Sequence, residues 1–227
     1  MTKICVLIPV LNESQAIGSV VESLRKRNLD VVVVDDGSTD DSGAIASQKG
    51  ATVLRHDTKK GKGQSLRDGF RHIVERGYDG VVTMDGDGQH DAADLEQFIR
   101  LVERERPGVI VGNRMAKPDG MPWIRYLTNR LMSAIISLAC GQRIPDTQCG
   151  YRYIDTGVLR NISLNCDDFE IETEMLMKAA KRGCRIYSVP IKTIYQDEES
   201  KINPLKDTVR FLAYFTKELC SSKDHGK

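Results

Sequence analysis

The sequence predicts an α/β fold in which helices flank a twisted, parallel sheet. Through residue 112, short apolar and β-branched runs alternate with longer segments of helical spacing. This alternation is typical of parallel strands joined by helices. The 227 residues suffice for one sizeable domain, and no linker separates a second. We expect a single domain over residues 1–227, with a core to about residue 203 and an amphipathic C-terminal helix at about 204–219.

The first half contains five apolar runs of strand length. The predicted strands are Ile4–Pro9, Val31–Val34, Thr52–Arg55, Val81–Met84 and Val109–Gly112. Helical spacing fills the intervals, and the predicted helices are Ala16–Arg27, Asp41–Lys49, Gly63–Arg76 and Asp91–Glu105.

The second half has a different organisation. Lys117–Gln142 is predicted as one or two helices, and Phe169–Arg182 and Pro204–Leu219 as further helices. Arg185–Ile194 is predicted as a long strand or a strand pair.

Composition narrows the function classes. Hydrophobic residues make up 40% and charged residues 29%, as in soluble globular proteins. The net charge of +1 gives no indication of nucleic-acid binding. The six cysteines form no Cys-x-x-Cys pair, which favours a reduced compartment. The apolar run at Ile4–Leu11 is too short for a signal peptide, and Leu131–Cys140 is too short to span a bilayer. We therefore expect a cytoplasmic location.

Polar clusters follow three of the predicted strands. They are Asn12-Glu13, Asp35-Asp36 and Asp85-Gly86-Asp87. In open α/β sheets, ligands bind beyond the carboxyl ends of the strands. Three clusters in equivalent positions therefore predict a ligand site at this edge.

Asp85 and Asp87 have the spacing of a metal site. Positions i and i+2 of an extended segment point to one side, and two carboxylates suit a hard divalent cation that also binds phosphate. Asp-Gly pairs also form ordinary turns. A calcium loop fits only in part, because His90 stands at its obligatory glycine position and a strand precedes it.

The order of four motifs resembles family 2 glycosyltransferases of the GT-A fold. The motifs are Ile8–Glu13, Val34–Asp40, Lys60–Gly63 and Met84–His90. The likeness is strongest to the branch that transfers mannose or glucose to dolichol phosphate and other polyprenyl phosphates. It continues through Asp146–Arg152, Glu174–Leu176, Val189–Ile191 and Ser200-Lys201, and covers about residues 4–205.

This resemblance implies a GT-A fold, a Rossmann-like nucleotide-binding sheet with flanking helices. It implies inverting transfer of a hexose from a nucleotide-diphosphate sugar, of the GDP-mannose or UDP-glucose type, to polyprenyl phosphate at the cytoplasmic membrane face. The implied cofactor is Mg²⁺ or Mn²⁺, held by Asp85, Asp87 and Gln89, with Asp87 also catalytic. The metal would offset charge on the leaving diphosphate.

The resemblance also assigns the donor pocket. Pro9, Asn12, Glu13 and Asp36 would line it, and Asp36 would accept hydrogen bonds from the base; a turn with a helix cap is the alternative. In Lys60–Gly63, the glycines would admit a diphosphate or sugar and Lys62 would add charge, unless the segment is a solvated loop. His90 would contact the diphosphate or, as we slightly prefer, cap the next helix.

A phosphate acceptor needs cations rather than a base, because its second pKa of ~6 leaves it largely a dianion. Gly112-Asn113-Arg114 resembles the family's Gly-Ser-Arg, which points to Arg114 as both catalytic and phosphate-binding. The wider set of candidate phosphate ligands is Arg114, Arg125, Arg130, Arg152, Ser200 and Lys201. Asp146 and Glu174 would orient the sugar, act as a base toward a hydroxyl acceptor, or form ion pairs with Arg152 or lysines.

Residues 120–145 contain arginines but no acids. An apolar stripe of Trp123, Leu127, Leu131, Ile135 and Leu138 recurs there at helical spacing. It predicts a helix lying peripherally on an anionic membrane, with a core-facing helix as the alternative. The C-terminal helix at 204–219 would dock on the domain, a partner or lipid.

Two departures from the branch concern the acceptor side. Tyr195 and Glu198 stand where relatives often have arginine and glycine, and we expect no appended membrane-spanning helices of the kind that some relatives have. Three other functions stay open: transfer to a saccharide or lipid hydroxyl, nucleotidyl transfer, and non-catalytic sensing of a sugar nucleotide.

Overall fold

The computed structural model describes residues 2–118 and 120–192. Its described part contains a seven-stranded sheet in the order β3-β2-β1-β4-β6-β5-β7. The strands are β1 Ile4–Val10, β2 Asp30–Asp35, β3 Thr52–Arg55, β4 Gly80–Thr83, β5 Val109–Asn113, β6 Arg152–Asp155 and β7 Ile186–Pro190. The helices are α1 Ile17–Arg25, α2 Ser42–Gln48, α3 Lys62–Glu75, α4 Leu95–Glu105, α5 Trp123–Cys140, α6 Thr156–Asn161 and α7 Glu170–Lys181.

The five strands predicted in the first half are all present. Strands β1 to β4 pair in parallel, and the runs of β1, β2 and β4 are mostly buried, as is usual for parallel strands. Strand β6 departs from this parallel arrangement and pairs antiparallel with both β4 and β5. β6 and α6 were not predicted, and the segment predicted as one or two helices at Lys117–Gln142 contains one helix among its described residues, Trp123–Cys140. The predicted segments beyond residue 192, including 204–219, lie outside the described residues.

The core lies on both faces of the central strands. Val6, Leu7 and Ile8 of β1 are fully buried, each contributing roughly 1.5–3 kcal/mol relative to exposure. Helix α3 packs close to this strand, because a Cβ at Gly69 would lie 2.3 Å from Leu7 Cδ1. This close packing places the first residue of α3, Lys62, over the carboxyl edge of the sheet.

Strand register brings the predicted clusters to one edge. Val10 at the end of β1 pairs with Asp35 at the end of β2, and Leu7 pairs with Thr83 at the end of β4. Strand β6 starts at the same edge, because Arg152 pairs with Thr83. Within the described residues, no helix has the length and apolar character needed to cross a membrane.

Candidate active site

Asp85 lies at the centre of a charged cluster beyond β4. Its Oδ1 accepts a hydrogen bond from Lys62 Nζ at 2.7 Å, and His90 Nε2 lies 3.4 Å from Oδ2. Burial opposes ionisation of Asp85, but the charge of Lys62 and the contact with His90 outweigh it and hold the pKa well below its ordinary value. A Cβ at Gly150 would lie 2.7 Å from Oδ2, so glycine there leaves room for the carboxylate.

The electrostatic environment of Asp87 differs from that of Asp85, because it raises the pKa of the carboxyl group. Burial and then the negative charge of Asp85 raise its pKa, although the Gln89 N–H donates to its Oδ1 at 3.0 Å. A divalent cation would relieve this excess of negative charge, and two carboxylates are the hard oxygen donors that Mg²⁺ or Mn²⁺ accepts. No group of three His, Cys, Asp or Glu side chains suited to a metal occurs among the described residues. The pair therefore fits an ion whose other ligands are water and phosphate oxygens.

His90 does not cap the following helix, so our preferred interpretation of it is wrong. Asp91 makes the cap, accepting the Ala93 N–H at 2.8 Å, because its short side chain can reach back to the helix start. His90 instead packs its ring 5.1 Å from the Tyr151 ring and contacts Asp85.

Lys62 bridges Asp85 to a residue that the sequence analysis missed. Its Nζ lies 2.8 Å from Glu172 Oε1, and its ammonium lies over the Phe169 ring at 5.2 Å from the centroid. Burial opposes the charged form of Lys62, but Asp85 and then Glu172 outweigh it and raise the pKa. A cavity beside them is lined by Pro9, Lys62, Asp85 and Glu172, among others. In sequence, Glu172 is one of several acids at the start of α7, and nothing separates it from its neighbours.

Asp36 holds the loop before α3. Its carboxylate accepts the N–H groups of Lys60 and Gly61 at 2.8 and 2.9 Å, and His56 Nδ1 lies 2.8 Å from Oδ1. Contact between Asp36 and the nucleotide base stays a prediction.

The glycines of the Lys60–Gly63 motif contact protein backbone. A Cβ at Gly61 would lie 2.4 Å from Asp167 O, and one at Gly63 would lie 2.2 Å from Cys166 O. Their small size therefore admits the segment before α7. This packing gives the glycines a structural reason that does not depend on a diphosphate.

The loops after β1 and β2 are joined by side-chain bonds. Ser38 Oγ accepts the Asn12 N–H at 3.0 Å, Asn12 Oδ1 accepts the Thr39 N–H at 2.9 Å, and Ser42 Oγ accepts the Glu13 N–H at 2.7 Å. Asn12 has a positive φ of 57°, a conformation that asparagine tolerates better than most residues. These bonds hold Asn12 and Glu13 against the loop that follows Asp36, and a nucleotide pocket at this place stays a prediction.

Arg114 and Asp146 form a bidentate ion pair. Arg114 Nε and Nη2 donate to the two Asp146 oxygens at 2.8 and 2.9 Å, and the Arg114 N–H adds a bond of 3.1 Å. Asp146 is fully buried and Arg114 is 6% exposed. Asp146 thus forms an ion pair, as one alternative held, but with Arg114 rather than with Arg152 or a lysine.

Arg152 lies inside the domain with no exposed surface. It donates to Cys149 O, Thr147 O and Glu172 O at 2.6, 2.8 and 2.5 Å. Its predicted contact with an acceptor phosphate would require these bonds to break.

Glu174 anchors the chain before α7. Its carboxylate accepts the Asn165 and Cys166 N–H groups at 2.9 Å and the Lys178 ammonium at 2.6 Å. Burial opposes ionisation of Glu174, but the bonds from Lys178 and these amides outweigh it and lower the pKa. Ser200 and Lys201 lie outside the described residues.

Helix α5 carries its apolar stripe on the outside. Four of its five predicted members, Trp123, Leu127, Leu131 and Leu138, are more than half exposed, as is the neighbouring Ile124, whereas Ile135 is half-buried. The side facing the domain is formed by the buried residues Asn129, Ser133 and Ile136, and Ser133 Oγ accepts the Thr147 N–H at 2.9 Å. Arg125 is half-buried and Arg130 is exposed on the same helix. Most of the stripe therefore does not face the core that the described residues form.

The sheet and its edge define a class of protein. A mostly parallel sheet with paired carboxylates beyond β4 and an antiparallel strand beside them is a GT-A fold. Solved structures agree: the glucosyl-3-phosphoglycerate synthase of Mycobacterium tuberculosis, in complex with Mg²⁺ and uridine diphosphate, superposes with a TM-score of 0.68 at 21% identity. The match covers 87% of this chain and 73% of that one.

The family follows from the sequence comparison. The model of glycosyl transferase family 2 matches residues 5–163, and the chain belongs to this family. The undecaprenyl-phosphate mannosyltransferase of Micrococcus luteus is 32% identical over 218 residues, 88% of each chain. The UDP-N-acetylglucosamine–dolichyl-phosphate N-acetylglucosaminyltransferase of Methanococcus voltae is 30% identical over 217 residues, 86% of each chain.

Proposed function

We propose that this protein transfers a sugar from a nucleotide-diphosphate donor to polyprenyl phosphate. The carrying observation is that two relatives similar over most of their length have names that specify different sugars but the same class of acceptor. The acceptor class is therefore better supported than the donor. The sugar is expected to be a hexose or hexose derivative.

The donor end is the edge beyond β1, β2 and β4. Asp85 and Asp87 would hold Mg²⁺ or Mn²⁺, and the bound ion would offset the charge of the leaving nucleoside diphosphate. Lys62 adds a fixed positive charge at the same cavity. The structural neighbour binds Mg²⁺ and uridine diphosphate, which supports a nucleoside diphosphate as ligand.

The state of the acids proposed for the acceptor end favours a phosphate acceptor over a hydroxyl acceptor. A hydroxyl requires a carboxylate that can take its proton. The two acids suggested for this, Asp146 and Glu174, are both buried and bonded to cations and amides. A phosphate dianion needs no such base: its oxygen attacks the sugar C1 while the bond from C1 to the diphosphate oxygen breaks, which inverts the anomeric centre.

Arg114 is the residue that we assign to the acceptor phosphate. Asp146 orients its guanidinium through two bonds, and a guanidinium held in this way presents a fixed plane of donors. This arrangement reduces the entropy lost when a phosphate binds.

The acceptor lipid gives the apolar stripe of α5 a function. A helix whose apolar side faces outward beside arginines suits the surface of an anionic bilayer. We assign α5 to peripheral membrane contact, which would bring the polyprenyl phosphate headgroup to the domain.

The test is transfer from radiolabelled GDP-mannose, UDP-glucose and UDP-N-acetylglucosamine, each with Mn²⁺ or Mg²⁺. Undecaprenyl phosphate and dolichyl phosphate serve as acceptors, and the matching unphosphorylated polyprenols as controls. We expect label in the organic phase only with a phosphorylated lipid. Equal transfer to the free alcohol would contradict the proposal, and release of pyrophosphate from nucleoside triphosphates would indicate nucleotidyl transfer.

A further inference from the structure

Three elements meet at the ammonium group of Lys62. Lys62 begins α3, Asp85 follows β4, and Glu172 lies in the first turn of α7. Lys62 Nζ is 2.7 Å from Asp85 Oδ1 and 2.8 Å from Glu172 Oε1. The lysine and glutamate side chains are mostly buried, with 17% and 14% exposed. One cation thus joins a proposed metal ligand to an acid that lies outside the metal pair.

Glu172 is the fixed end of this bridge. Arg152 Nη2 lies 3.3 Å from Glu172 Oε2, and Arg152 itself is anchored to the backbone at Cys149 and Thr147. Lys62, by contrast, reaches the site on a flexible four-carbon stem. If the Lys62 ammonium moves away from Asp85, Glu172 therefore remains as its partner.

Asp85 cannot serve Lys62 and a divalent ion equally well. Two cations on one carboxylate repel each other, and the repulsion is strong where burial limits screening by water. We propose that Lys62 is a built-in counter-ion, which neutralises Asp85 before ligands arrive and moves toward Glu172 when metal and nucleotide diphosphate bind. Lys62 and Glu172 are then positioning residues that couple the binding of metal to that of nucleotide.

The coupling follows from charge. A metal ion alone must displace Lys62 from Asp85, so it binds weakly. A nucleoside diphosphate brings anionic oxygens that can bind both the metal and the displaced ammonium. The binding of each ligand therefore strengthens the binding of the other. This inference rests on the proposed function, because it uses the same metal and nucleotide.

The test measures Mn²⁺ affinity by electron paramagnetic resonance of free Mn²⁺, with and without GDP or UDP. We expect Lys62→Met to bind Mn²⁺ alone roughly tenfold more tightly, because the competing charge is gone, and to lose most of the strengthening by nucleotide. Glu172→Gln should bind Mn²⁺ alone several-fold more weakly, because the displaced lysine has lost its second partner.

Three further variants complete the design. Lys62→Arg keeps the charge and should behave nearly as the wild type, whereas Asp85→Asn should lose the Mn²⁺ site. Lys49→Met removes a lysine that pairs with Glu22 at 2.9 Å on the surface of α1 and α2, and should leave Mn²⁺ binding unchanged. Circular dichroism and thermal melting establish that each variant is folded.

The directions of the changes in Mn²⁺ affinity decide between the counter-ion and a structural ion pair. Opposite shifts for Lys62→Met and Glu172→Gln support the counter-ion. Equal weakening in both, or no change in either, overturns it and leaves the cluster a structural ion pair. If Lys62→Met does not fold, the other two variants decide. A wild-type Mn²⁺ affinity in Lys62→Arg together with a weaker Mn²⁺ affinity in Glu172→Gln supports the inference. An unchanged Mn²⁺ affinity in Glu172→Gln overturns it. A wild type that binds no Mn²⁺ with either nucleotide overturns the proposed metal site as well.

Discussion

Asp146→Asn separates a structural ion pair from a catalytic base. Asp146 is fully buried, and its two oxygens accept three bonds from Arg114, at 2.8, 2.9 and 3.1 Å. Asparagine keeps the shape but removes the charge and turns one acceptor into a donor that faces the guanidinium. Breaking a buried pair in this way costs about 3–5 kcal/mol of the free energy of unfolding, a large part of the ~5–15 kcal/mol typical of a domain.

Urea unfolding, followed by circular dichroism, measures this cost. Arg114→Met/Asp146→Leu should cost less than the sum of its single changes, because neither buried charge is then left alone. The matched control is Glu96→Gln, which breaks an exposed pair with Arg100 on α4 and should leave the urea midpoint unchanged. A loss below about 1 kcal/mol for Asp146→Asn would refute the reasoning, because a buried pair broken on one side cannot be that cheap.

Kinetics on the folded fraction complete this experiment. If Asp146 acts only by orienting Arg114, Asp146→Asn should raise the KM for polyprenyl phosphate more than it lowers kcat. A base toward a hydroxyl would instead lower kcat by about 10²–10⁴. The second pattern would restore the hydroxyl-acceptor hypothesis.

Three further predictions concern separate features. Leu127→Ser/Leu131→Ser should abolish flotation with anionic vesicles without lowering the melting temperature, since both side chains are exposed; retained flotation would exclude α5 as the contact. Gly150→Ala should weaken Mn²⁺ binding, because the new Cβ would lie 2.7 Å from Asp85 Oδ2 and displace the carboxylate. Because folding lowers the pKa of Glu174 from its ordinary 4.5, its stabilisation is complete above that pH and is lost as pH falls through the lower folded value. Glu174→Gln should remove this loss from the acid limb of a pH–stability profile; an unchanged limb would contradict the assignment.

The sequence predicts the parallel half of the sheet because buried parallel strands consist of continuous β-branched runs. Strand β6 lacks this signal: its four residues, Arg-Tyr-Ile-Asp, include a buried arginine and no apolar run. Arg152 is tolerated there because backbone carbonyls accept its donors. Partners of this kind come from the tertiary structure and leave no local pattern in the chain.

In the candidate site, too, some features could be predicted from the sequence and others come only from the tertiary structure. The sequence places Asp85 and Asp87 one residue apart just after β4, but Gly86 and Asp87 form a turn, the alternative to the extended segment that the i, i+2 argument assumed. The bridge from Lys62 to Glu172 joins residues from helices 110 positions apart in the sequence, at 2.8 Å. Helical periodicity likewise identifies the stripe of α5 but does not state which side faces the domain. The structure answers this because Ser133 and Ser137 bond to the 144–147 segment and turn the leucines outward.

The distribution of charge within the described residues connects these findings to chemistry. At the proposed acceptor side, Asp146 and Glu174 are each paired with a cation, Arg114 and Lys178, and an acid held in such a pair is poorly suited to take a proton. At the proposed donor side, burial and then the negative charge of Asp85 raise the pKa of Asp87, so that a bound cation would favour its ionised form. A diphosphate that leaves as an anion needs a cation at its end of the site, whereas a phosphate nucleophile needs no base at the other. This asymmetry supports the proposed transfer between two phosphates, whereas a hydroxyl acceptor would need an acid able to take a proton on the opposite side.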